Sequence, residues 1–168
     1  MKAERATRIF VFLLILTDMA MAGLAFASAY LLRQAIPVPD VAEGLGPGSW
    51  GEYVPMMGIH ILSLVGVFFF ARLYDLSRAS RIDEFYDIIA AATIGTLMGV
   101  ALASLTLRDF VVGRDYSRAM VLYAWALSIL LVTLGRLFND WLRKYWVRRG
   151  WARRRLLVIG MGDVARMI

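Results

Sequence analysis

Four stretches of this sequence are apolar for long enough to cross a bilayer, and that feature decides what the chain can be. They run over Ile9–Leu32, Tyr53–Ala71, Ile88–Leu107 and Ala119–Gly135, the last extensible to Leu137. About 17–25 residues of helix span the hydrocarbon core. Inside these stretches only Asp18 is an acid or a strong base. Composition agrees: 60% of the residues are hydrophobic and 19% are charged, against roughly 45–50% and about 25% in soluble domains. A disordered chain is excluded, because so much apolar surface needs burying. With no cysteine at all, the sequence offers no disulfide framework, thiolate metal site or thiol nucleophile. The expected class is an all-α membrane protein with a four-transmembrane-helix bundle.

Lysine and arginine set the expected orientation. Fifteen of them flank the ends that would share one face: before span one, between spans two and three, and after span four. The opposite face has four, Arg33, Arg108, Arg114 and Arg118. The positive-inside rule then puts both termini in the cytoplasm. A cleaved signal peptide is the competing reading of the N-terminus, since Ala25-Phe-Ala27 and Ala27-Ser-Ala29 offer small-residue sites. The apolar run is longer than the about 7–15 residues of a signal core, and Asp18 interrupts it. The excess of basic charge on an apolar chain points to anionic headgroups and membrane lipid as partners, not to nucleic acid.

Local signals refine the elements. Pro37, Pro39, Gly44, Gly46, Pro47 and Gly48 mark Arg33–Glu52 as an external loop. Pro55 is expected in the first turn of span two, where its missing N–H costs least. Ser80 and Asp83 have capping-box spacing, which starts the third helix near Ser80 with Asp83, Glu84 and Asp87 at the positive end of its dipole. Ala91, Gly95, Gly99 and Ala103 form a stripe of small residues at four-residue spacing. Such a stripe allows close helix approach, inside the bundle or between copies. Trp141, Tyr145 and Trp146 suit an interfacial aromatic belt, and Gly150 a helix stop.

Two intramembrane polar residues are candidates for function. Asp18 reads first as a structural carboxylate, hydrogen-bonded to Thr93, Thr96, His60 or a backbone group, with proton transport as the competing role. His60, the sole histidine, has no second ligand at helical spacing, so no metal site is expected. The spans hold no paired carboxylates and no nucleophile–base pair, so no catalytic residue is assigned.

After Arg153-Arg154-Arg155 comes Leu156-Leu157-Val158-Ile159 and then Gly160-Met161-Gly162-Asp163-Val164-Ala165. This reads as a buried strand entering a Gly-x-Gly-x-x-Ala turn, the start of a Rossmann-like unit that a βαβ of about 30 residues would complete. Residues 1–150 are therefore expected to form the membrane domain and 151–168 the beginning of a Rossmann-like domain, in the N-terminal part of a longer protein. Gly160, Gly162 and Ala165 are the candidate cofactor-binding turn.

Several of these segments resemble the bacterial polyprenyl-phosphate glycosylphosphotransferases. They are Asp18, Tyr30-Leu31-Leu32-Arg33, Phe70-Ala71-Arg72-Leu73-Tyr74-Asp75, Asp83-Glu84-Phe85, Tyr116-Ser117-Arg118, Gly135-Arg136 and Arg154 through Gly162. The resemblance spans essentially the whole chain through short, degenerate motifs. It implies a four-helix membrane region, a Rossmann-like domain and a catalytic domain beyond Ile168 that moves a phosphosugar from a nucleotide sugar to undecaprenyl phosphate with Mg²⁺. It also implies a homodimer in the bacterial inner membrane. The family's usual Gly-Ala-Gly, with a further Gly five residues after the first, is here interrupted by Met161 and Ala165. A membrane-anchored nucleotide-sugar dehydratase or epimerase resembles the chain over the same region, and a non-enzymatic scaffold or transporter subunit is the third reading. Residues 1–168 alone are expected to bind no cofactor and to catalyse nothing.

Overall fold

The computed structural model describes residues 2–36, 50–75, 81–107 and 118–148. Within them the regular structure is four α-helices: α1 (Lys2–Ala35), α2 (Trp50–Phe70), α3 (Arg81–Thr106) and α4 (Arg118–Arg148). All four are long and apolar enough to cross a membrane. The expected strand and glycine turn, including Gly160, Gly162 and Ala165, lie outside the described residues, as does the expected stop at Gly150.

The helices outrun the apolar stretches that announced them, because charge ends a membrane span without ending a helix. At 1.5 Å per residue α2 is about 31 Å long, close to the roughly 30 Å hydrocarbon core. With 34 and 31 residues, α1 and α4 are about 51 and 46 Å. Their extra turns, at the start of α1 and the end of α4, carry the flanking cations. α3 begins at Arg81, with Asp83 and Glu84 in its first turn. α2 begins three residues earlier than Tyr53, so Pro55 is inside the helix and not in its first turn. The residue four positions before it, whose carbonyl a proline ring crowds, is Gly51, whose missing side chain leaves the turn room to adjust.

Connectivity is up-down-up-down, with α4 returning beside α1. α1 packs most extensively on α4 and α2 on α3, while α1–α2 and α3–α4 contacts are lighter. One buried cluster includes Leu14, Ala22, Leu64, Phe68, Ile88 and Val132; a second, toward the other end, includes Phe26, Tyr30, Met56 and Met120. The outer surface is apolar: Phe12, Leu24, Leu62, Phe69, Leu97 and Leu122 are all more than half exposed. Greasy side chains outside, with small and polar ones inside, are what lipid as a solvent selects. Hydroxyls on the helices bond back to carbonyls one turn earlier, as Thr17 does to Leu13 at 2.8 Å and Thr106 to Leu102 at 2.7 Å. The molecule is thus a multi-pass membrane bundle.

Small residues decide where backbones meet. A Cβ on Gly95 would lie 2.8 Å from the Leu64 Cδ2 and 3.1 Å from its Cα. One at Gly99 would be 3.5 Å from the His60 Cα. With Ala91 and Ala103 buried on the same stripe, this face of α3 is taken by α2 of the same chain. Val100, expected to face lipid, is half-buried, whereas Leu97 is exposed. A second close approach, absent from the sequence reading, joins α1 and α4: a Cβ on Gly135 would sit 2.9 Å from the Met21 Cγ and 3.0 Å from the Thr17 Cγ2.

Candidate functional site

The close approach at Gly135 brings the next residue, Arg136, onto the turn of α1 that carries Asp18. Arg136 is 4% exposed and Asp18 is 1% exposed. Its Nη2 donates to the Asp18 Oδ2 at 2.7 Å. Its Nη1 donates to the Leu73 carbonyl at 3.0 Å and to the Glu84 Oε1 at 3.2 Å. The guanidinium also stands over two rings, 5.3 Å from the Phe68 centroid and 5.6 Å from that of Tyr74, a favourable use of the ring quadrupoles. One side chain from α4 is thereby tied to α1, to the exit of α2 and to the first turn of α3.

The exit of α2 is shaped for this. Leu73 N–H bonds to the Phe68 carbonyl and Arg72 N–H to that of Phe69, at 3.0 and 3.1 Å. Together they make a Schellman stop whose C′ residue is Arg72. Arg72 has φ 54°, the left-handed conformation that glycine usually supplies. The reversal turns the Leu73 carbonyl and the Tyr74 ring inward. Burial, and after it the Asp18 carboxylate, pushes the Tyr74 phenol above its ordinary range, so it stays protonated. Neither the Tyr74 hydroxyl nor the Asp18 Oδ1 makes a well-formed hydrogen bond, and the Arg136 Nε is likewise unmatched.

Asp18 therefore takes Arg136 as its partner, not Thr93, Thr96 or His60. Thr93 bonds to the Ile89 carbonyl and accepts the Trp125 indole N–H at 3.0 Å, joining α3 to α4. His60 shares a hydrogen bond of 3.1 Å with Ser128 across the bundle, next to the Phe26 ring. Beside it lies a cavity of about 20 Å³ lined by Met56, Thr96, Gly99 and Ala124 among others. Among the described residues no three His, Asp or Glu side chains converge as a metal site would require. From sequence alone Arg136 groups with the cytoplasmic cations, and Glu84 with the acids at the positive end of the α3 dipole. The signal that could have paired them is Asp18 itself: a buried carboxylate needs a cation, and Arg136 follows the fourth apolar run directly.

The arrangement suits mechanical work. Three charged groups face one another, Arg136 lying 2.7 Å from Asp18 and 3.2 Å from Glu84. Comparison of the chain with protein-family models, with curated proteins and with solved structures finds no match.

Proposed function

We propose that this chain is the membrane anchor and assembly module of a bacterial sugar transferase that begins polysaccharide repeat units, passing a phosphosugar from a nucleotide sugar to undecaprenyl phosphate. One observation carries the reading. Four of the seven segments on which the resemblance rests meet at Arg136: Asp18 on α1, Leu73 and Tyr74 just beyond α2, Glu84 on α3, and Gly135-Arg136 on α4. They form a lock that holds the bundle together, which is what an anchor requires of its polar residues.

The module sits in the inner membrane with both termini cytoplasmic. Arg136 is buried within α4, so it leaves the loop count, and fourteen cations still oppose four. Copies associate as a homo-oligomer through a face other than the Gly95–Gly99 stripe, which α2 already covers. The described carboxylates do not fit the Mg²⁺ that such a transferase uses. Asp18 and Glu84 are held by Arg136, and among the described residues no three acids converge closely enough to hold a metal ion.

The test compares residues 1–168 with the polypeptide of the complete reading frame, each incubated with UDP-sugars, undecaprenyl phosphate and Mg²⁺. UMP release by the longer polypeptide and none by residues 1–168 is the expected result. Release by residues 1–168 would put an active site inside the helices. Nucleotide-sugar dehydration or epimerisation by the longer polypeptide would transfer the anchor to the alternative family.

A further inference from the structure

Beyond anchoring, the last turns of α4 present a built surface for a particular lipid. Phe138, Trp141 and Tyr145 stack in sequence along one face, with centroids 6.0 Å apart at each step and ring planes at 28° and 17°. Trp141 is 60% exposed and Phe138 58%. Leu134 and Leu130, both more than half exposed, continue the strip toward the middle of the helix. Lys144 is exposed beside its far end, Arg143 is half-buried, and Arg148 lies in the final turn.

Depth matches chemistry. From Leu134 to Lys144 the helix rises about 15 Å, half of the roughly 30 Å hydrocarbon core and hence one leaflet. An acyl chain laid on Leu134, Phe138 and Trp141 brings its phosphate level with Lys144. Three cations, Arg143, Lys144 and Arg148, lie in the last six residues of α4, where the negative end of the helix dipole also favours positive charge. The nearest acid on this part of α4, Asp140, is half-buried in the cleft with Glu84 and Arg136. We propose that this face is a binding site for an anionic phospholipid, chains on the aromatic ladder and phosphate on Lys144 at its end. Stacked rings leading to an exposed cation distinguish it from the other exposed apolar faces: Ile9, Phe12 and Leu16, beside the exposed Arg8 on α1, include a single ring. Leu62 and Phe69 on α2 stand in an element with no Lys or Arg.

The chain reconstituted in phosphatidylcholine vesicles, carrying a minor fraction of lipid with brominated acyl chains, tests this directly. Bromine quenches tryptophan on contact, and the difference between the parent and Trp141→Phe isolates Trp141. Brominated phosphatidylglycerol is expected to quench Trp141 several-fold more effectively than brominated phosphatidylcholine at equal fraction. Lys144→Gln should remove most of that preference, Lys144→Arg should keep it, and Arg143→Gln, on the opposite side of the helix, should leave it unchanged. High salt should weaken it as well. Equal quenching by the two lipids overturns the proposal. So does a Trp141 shielded from both while Phe138→Cys cross-links two copies, which would make the face an interface between copies. Neither result bears on the transferase reading.

Discussion

Replacing Asp18 by Asn leaves the Arg136 guanidinium buried and short of its counter-charge. Breaking a buried pair from one side typically costs 3–5 kcal/mol, because the remaining ion stays desolvated. Asp18→Asn and Arg136→Gln are therefore expected to lower stability by about 3 kcal/mol or more each, read from loss of helical circular dichroism in a denaturant titration in detergent micelles. The double replacement Asp18→Leu with Arg136→Met should cost clearly less than the two single effects combined. A strictly additive double variant would mean that the two do not act as a pair. Arg136→Lys should not restore stability, since a single ammonium cannot fork to Asp18, Glu84 and the Leu73 carbonyl at once. Arg72 offers the opposite sign. Its φ of 54° strains any side chain but glycine's, so Arg72→Gly should raise stability by about 1 kcal/mol. These residues also mark the limit of what was legible. That Asp18 needs a polar partner inside the bundle could be read from its isolation in an apolar run. Its partner could not be read, because 118 positions separate it from Arg136 and only the Gly135 approach brings the two together.

At the scale of helices, the four spans were legible because length and apolarity alone define them, and their buried faces were not. In water a hydrophobic period marks the inward face; in lipid both faces are apolar, and the period vanishes. What remains is residue size. The glycines and alanines of α3 stood out at four-residue spacing, whereas the equally regular α4 stripe mixes Met120, Ala124, Ser128, Val132 and Arg136, all at most 4% exposed. The α2–α3 contact gives a graded test. At Gly95 a methyl meets the Leu64 backbone at 3.1 Å, so Gly95→Ala should lose about 1–3 kcal/mol. At Gly99 the nearest atom is 3.5 Å away, an ordinary contact, so Gly99→Ala should be neutral or gain up to about 1 kcal/mol from helix propensity. Leu at either position should be severely destabilising, whereas Leu97→Ala, on the exposed face, should change little. Thermal melting in one detergent ranks the five variants. Equal losses from Gly95→Ala and Gly99→Ala would remove the close-approach argument.

Three of the polar links among the described residues tie the two helix pairs together. Arg136 ties α4 to the α2 exit and to Glu84, His60 meets Ser128, and Trp125 meets Thr93. Every link runs from α4 of one pair to α2 or α3 of the other. The Arg136 lock lies where α2 ends and α3 begins, so it marks one membrane face, and the side on which it lies fixes the orientation of everything attached. By position in the sequence, fourteen lysines and arginines besides Arg136 fall toward the lock's end of the spans, against four toward the other. That imbalance predicts a cytoplasmic lock. Because the sequence has no native cysteine, single cysteines report without background. Ser80→Cys, in the segment between α2 and α3, should resist a membrane-impermeant maleimide added to intact spheroplasts and react once the membrane is opened. Gly46→Cys, between α1 and α2, should react in intact spheroplasts. The reverse pattern would turn the bundle over and put the lock, the α4 cations and the chain beyond Arg148 on the outer face, where no nucleotide sugar is available to an attached transferase.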